Sequence, residues 1–106
     1  MERILITGAN RGVGFELTKQ YIKSGDVQVF AMCRTPDSAT DLNALAQQNP
    51  DKVIVIQLEI NQSASIDASV KAVEQHTDAL DVLINNAGIF PKDESRDLGD
   101  LGMTPK

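Results

Sequence analysis

Three glycines follow the first apolar run of this chain, in the stretch Thr7-Gly8-Ala9-Asn10-Arg11-Gly12-Val13-Gly14. The run before them, Arg3 to Thr7 (RILIT), is rich in branched residues and predicts a strand. From Val13 onward apolar residues recur at i+4 as Val13, Leu17 and Tyr21, with Phe15 and Ile22 widening the stripe, which predicts a helix. A glycine turn joining a strand to a helix leaves few folds open. Gly8 permits a tight exit from the strand, Gly12 a close backbone approach to an anion, and Gly14 close packing of helix on sheet. The helix N-terminus then presents free N–H groups and a positive dipole end, the physical logic of a dinucleotide site.

The rest of the chain repeats the alternation. Gly25 stands at the C′ position of the first helix. Val27 to Cys33 predicts a second strand, and Thr35-Pro36 an N-cap with proline in the first turn. The helix after it carries Leu42, Leu45 and Ala46 and stops near Asn49-Pro50. Val53 to Leu58 is the third strand. Asn61 or Ser63 is the expected cap of a helix with Ile66, Val70 and Val73 at helical spacing, and Val82 to Asn85 is the fourth strand. Strands alternating with helices predict an α/β fold: a Rossmann-type, doubly wound parallel sheet with right-handed crossovers. The strands are apolar on successive positions, as a sheet covered on both faces requires. With aromatics at only 4%, the core must be mostly Ile, Leu, Val and Ala.

Residues 1–90 therefore read as one nucleotide-binding segment. Residues 91–106 hold two prolines, two glycines and five charges of mixed sign before Leu98, and read as loop or disordered tail. The net charge of −5 repels a nucleic acid on average, so no nucleic-acid partner is expected. No apolar stretch approaches the roughly 18 residues of a membrane span, and no signal peptide is expected, since a strand-like run starts after two residues. The single cysteine, Cys33, excludes an internal disulfide and reads as a small buried hydrophobe, consistent with a reducing cytoplasm.

The cofactor's identity turns on the end of the second strand. A site preferring NAD places an acid about 20 residues past the glycine motif, to grip the ribose 2′-hydroxyl. Arg34 stands at that distance from Gly14, after Cys33. A carboxylate would repel a 2′-phosphate, whereas a guanidinium binds it bidentately. Arg11, inside the turn, reaches the same region. These two arginines point to NADP(H). Asp26 and Asp37 lie too far to either side to act as the strand-end acid, Asp37 being the nearer substitute.

The spacing T-G-x-x-x-G-x-G resembles the cofactor motif of classical short-chain dehydrogenases/reductases. Asn85-Asn86-Ala87-Gly88, directly after strand four, resembles that family's N-N-A-G motif. The wording ITGANRGVG, the CR after strand two and LINNAGI are most similar to carbonyl reductases of the sniffer and C-factor type. The resemblance implies a strand order of 3-2-1-4 and the N-terminal part of an oxidoreductase that moves hydride between NADPH and a carbonyl or alcohol. It also implies that Gly8, Asn10, Arg11, Gly12, Val13 and Gly14 contact the cofactor's phosphates and adenosine ribose. Arg34 would take the 2′-phosphate, and Asn85, Ala87 and Gly88 would line the ribose side. Glu59 stands where the family usually has Asp, near the adenine, with reach to the adenine amino group, to a neighbouring backbone N–H or to solvent.

The resemblance implies a homo-oligomer, and a small carbonyl substrate only together with the family's catalytic half. That half carries a Ser and a Tyr-x-x-x-Lys pair, which this chain lacks: Tyr21 is its one tyrosine, with Gly25 at i+4. His76 reads as a helix-end surface residue, and Ser63, Ser65 and Ser69 as cap and surface serines, so neither a catalytic residue nor a metal ligand is assigned. The alternative is a truncated nucleotide-binding module that catalyses nothing. A methyltransferase-like fold is disfavoured by Cys33-Arg34, where an acid is normally found, and extended-type epimerases by the glycine spacing.

Overall fold

The computed structural model describes residues 1–86. Four parallel strands form one sheet in the order β3-β2-β1-β4. They are β1 (Glu2–Thr7), β2 (Val27–Cys33), β3 (Val53–Gln57) and β4 (Val82–Asn85). The connections are α1 (Gly12–Lys23), α2 (Thr40–Gln48) and α3 (Ser63–Glu74). The expected partial Rossmann sheet is thus present, with strand bounds within a residue of those read from the sequence.

Why the strands are apolar on both faces is visible in the core. Alternation along β1 sends Ile4 and Ile6 to one face and Leu5 to the other. On the first face they join Val29, Ala31 and Cys33 under α1 and α2, including Ile22 and Leu42. On the second, Leu5 joins Phe30, Met32 and Ile56 under Ile66 and Val73 of α3. Ile4, Leu5, Ile6, Val29 and Phe30 are fully buried. Each such side chain contributes roughly 1.5–3 kcal/mol through burial, so the two central strands anchor everything attached to their ends. Among the described residues β4 pairs on one side only, with β1, through Ile4↔Val82 to Thr7↔Asn85.

Helix α1 departs from the expected stripe. Its buried line is Gly14, Thr18 and Ile22, while Val13 is 66% exposed and Leu17 and Tyr21 are half-buried. The helix meets the sheet through Gly14, Thr18 and Ile22, and Phe15, Leu17 and Tyr21 flank that contact. The caps differ as well. Thr35 introduces a 3-10 turn, Pro36–Ser38, and α2 begins after Ala39. Gln62 precedes α3 without a side-chain cap, in place of Asn61 or Ser63. Gly25 follows α1 with φ +134°, at the predicted C′ position.

No helix among the described residues is long and apolar enough to cross a membrane.

Candidate functional site

The turn after β1 bends where the sequence placed its glycines. Gly8 and Gly12 adopt φ of +63° and +56°, a region that costs a residue with a Cβ about 1–2 kcal/mol. Between them the Ala9 N–H donates to the Met32 carbonyl at 3.0 Å, pinning the turn to the end of β2. Arg11 is the extended N-cap of α1 and offers no side-chain cap. The first N–H groups of the helix, lacking carbonyl partners one turn earlier, are therefore left to solvent or an anion. A Cβ on Gly12 would meet nothing within 4 Å, so the backbone there is open to an incoming group. A Cβ on Gly14 would overlap the Gly8 carbonyl oxygen and stand 2.6 Å from Asn86 Nδ2.

This turn forms one wall of a cleft of about 670 Å³ at the carboxyl ends of the strands. That volume is within the usual range for small-molecule and cofactor sites. Gly8, Asn10, Arg11, Gly12 and Val13 line it from the turn. Cys33 and Arg34 close it from the end of β2, Glu59 from the segment after β3, and Asn86 from the segment after β4. Seven of the sequence-assigned residues thus meet around one space: Gly8, Asn10, Arg11, Gly12, Val13, Arg34 and Glu59. The exposed Val13 finds its explanation here, as an apolar wall beside the charged groups.

Two guanidinium groups border the cleft. Arg11 is exposed and makes no ion pair among the described residues. The Nε of Arg34 lies 3.6 Å from Oε2 of Glu59, the arginine side chain being 73% exposed and the glutamate 20%. The backbone carbonyl of Arg34 accepts from Gln57 Nε2 at 3.3 Å. Glu59 is itself fixed from both ends. Its N–H donates to the Ser65 hydroxyl at 2.8 Å, and its Oε1 accepts the Asn61 N–H at 3.4 Å. Of the partners open to Glu59 on sequence grounds, a neighbouring backbone N–H is taken up. The arginine is a partner that sequence reasoning did not name.

Cys33 forms part of the cleft floor and is only 3% exposed. Burial pushes its thiol above the ordinary range, offset in part by a backbone hydrogen bond at Thr35. No cluster of metal-ligating side chains occurs among the described residues.

The end of β4 divides its two asparagines. Asn85 turns its side chain to β1, where the Thr7 hydroxyl donates to Oδ1 at 3.0 Å. Asn86 reaches the cleft, with its N–H donating to the Thr7 hydroxyl at 2.8 Å and its Nδ2 to the Gly8 carbonyl at 3.3 Å. Sequence reasoning assigned Asn85 and overlooked Asn86, although both belong to the same motif. Gly14 and Asn85 are not among the cleft-lining residues; they pack the turn and the strand ends beneath it. Ala87 and Gly88 lie outside the described residues.

The chemistry of the cleft fits a phosphorylated dinucleotide: bare backbone at Gly12, a helix N-terminus, two guanidinium groups and an apolar wall.

Comparison with known proteins points the same way. A family model described as short chain dehydrogenase matches residues 2–101. A short-chain dehydrogenase of Penicillium roqueforti is 36% identical over 87 residues, covering 81% of this chain and 34% of that protein. Salutaridine reductase of Papaver somniferum is 31% identical over 87 residues, covering 80% and 28%. An NADPH-bound carbonyl reductase from chicken fatty liver superposes with a TM-score of 0.77 at 34% identity, over 94% of this chain and 40% of that one. The carbonyl reductase Sniffer of D. melanogaster gives 0.76 at 34% identity, over 87% and 38%. The chain spans about a third of the length of the curated relatives it matches.

Proposed function

This chain belongs to the short chain dehydrogenase family, and we propose that its residues 1–90 hold NADP(H) for a parent enzyme that interconverts a carbonyl and an alcohol. The observation that carries the reading is the pair of arginines at the cleft, with no acid at the end of β2. Three of the similar solved structures carry NADPH or NADP. Bound NADPH supplies the hydride.

The chain's own residues supply binding and orientation. The turn from Gly8 to Gly14 and the start of α1 take the pyrophosphate by backbone N–H groups and the helix dipole. Arg11 and Arg34 take the 2′-phosphate. Asn86, held by Thr7 and Gly8, borders the ribose side, and Asn85 braces the end of β4 against Thr7. Proton transfer falls to the Ser and Tyr-x-x-x-Lys elements of the family's catalytic half and substrate selection to that half's pocket, in a parent enzyme that we propose to be a cytoplasmic homo-oligomer.

A titration of the chain with NADPH and NADH, followed by calorimetry, tests the cofactor assignment. NADPH binds more tightly, and Arg34→Ala removes most of the difference. A charge-assisted hydrogen bond contributes roughly 1.5–3 kcal/mol, on the order of 10- to 100-fold. Equal affinity for the two nucleotides in the unmutated chain refutes the assignment.

A further inference from the structure

We propose that Glu59 is a positioning residue for 2′-phosphate selectivity, acting through Arg34 rather than on the adenine; this rests on the nucleotide reading of the cleft. Three observations carry it. Arg34 is 73% exposed on its side chain, so its own packing does little to fix the guanidinium. Glu59 is the better held of the two, at 20% exposure and tied through Ser65 and Asn61. The contact between them runs through Nε, the stem edge of the guanidinium, which leaves the terminal amino pair to meet a phosphate.

A carboxylate near a phosphate also repels it, so the two effects must be weighed. The phosphate would bind at the terminal amino pair, farther from Glu59 than the guanidinium is. The added distance and the high dielectric of a water-filled cleft weaken that repulsion. Holding a long, exposed side chain in its binding rotamer acts in full, because that freedom is otherwise lost when the nucleotide binds. Positioning therefore outweighs repulsion. Glu59 also reaches one methylene beyond the aspartate usual in the family, and its Oε2 stands 3.6 Å from Arg34 Nε.

Two probes separate the possibilities: adenosine 2′,5′-bisphosphate and adenosine 5′-monophosphate, titrated by calorimetry into the full chain. Glu59→Gln preserves shape and the backbone contact to Ser65, and circular dichroism checks that it folds. It weakens the bisphosphate by about fivefold and leaves the monophosphate unchanged. In an Arg34→Ala background the same substitution changes neither. Equal weakening of both probes overturns the proposal in favour of an adenine contact. Tighter bisphosphate binding overturns it in favour of simple repulsion, and an unchanged bisphosphate affinity shows that Arg34 needs no tether. Failure of the unmutated chain to bind either probe defeats the nucleotide reading itself, and the proposal with it.

Discussion

The Thr7 hydroxyl donates to the side-chain oxygen of Asn85 at 3.0 Å, joining residues 78 apart in sequence. The same hydroxyl accepts the Asn86 N–H at 2.8 Å. Thr7 is 2% exposed, while Asn85 is exposed and Asn86 half-buried, so the junction is anchored from its buried side. It fixes where β4 ends relative to the glycine turn. Thr7→Val keeps the volume and β-branching but removes donor and acceptor together, leaving the Asn86 N–H without that partner. The expected cost is about 1–3 kcal/mol, read as a lower midpoint in denaturant unfolding. Nucleotide affinity falls with it, because Asn86 loses its anchor beside the cleft. An unchanged midpoint would show that the junction contributes nothing.

Gly12 and Gly14 separate two uses of glycine that look alike in sequence. At Gly14 a Cβ meets the Gly8 carbonyl and the Asn86 amide, both parts of the turn's own frame. Gly14→Ala is therefore an overpacking change, expected to cost about 1–3 kcal/mol. At Gly12 the added Cβ has open space but must adopt φ +56°. Gly12→Ala costs about 1–2 kcal/mol in backbone strain, and its methyl group stands where the anion approaches. Unfolding curves and nucleotide titrations on both variants make the comparison. Gly12→Ala should lose more affinity per unit of lost stability than Gly14→Ala.

How much of this was legible in the sequence depends on the range of the interaction. The four strands and the glycine turn follow from local pattern: branched apolar runs and residues that tolerate positive φ. Strand order came from family resemblance, since periodicity alone does not say which strand neighbours which. The buried line of α1 was misplaced because i+4 spacing marks apolar residues, whereas this helix meets the sheet through Gly14 and Thr18. The Thr18 hydroxyl is satisfied within the helix, on the Gly14 carbonyl at 2.8 Å, which removes the penalty of burying it. The Arg34–Glu59 pair joins the ends of adjacent strands and depends on side-chain length, which no spacing rule encodes. Asn86 was hidden by its neighbour, since two adjacent asparagines at a strand end give no sign of which one turns inward.

Lys52 links the loop before β3 to the end of α1. Its ammonium donates to the carbonyl of Gly25 at 3.1 Å and to that of Ile22 at 3.4 Å. Those carbonyls lie at a helix C-terminus, where the dipole favours a cation. Lys52→Met keeps most of the aliphatic stem and removes the charge. The expected loss is about 0.3–1 kcal/mol at low ionic strength, shrinking as salt is added. Denaturant midpoints of both proteins at low and high salt give the test. A difference that does not vary with salt would assign the effect to packing of the stem.

Cys33 offers a probe of the cleft that needs no substitution. Burial disfavours the thiolate and raises its pKa. The reactive species in alkylation is the thiolate, so iodoacetamide should modify the folded chain slowly at neutral pH. Its rate should climb only above the ordinary thiol range, about 8.5. Stability follows the same sign. The unfolded thiol ionises first as pH rises, so the folded state binds more protons through that window and loses stability across it. This contribution is fully present below the ordinary thiol pKa and disappears as pH passes the raised one. Cys33→Ala should abolish that part of the alkaline decline. Because Cys33 lies on the floor of the cleft, saturating NADPH should slow alkylation further at a fixed alkaline pH. Modification at the same rate with and without nucleotide would place the bound molecule elsewhere.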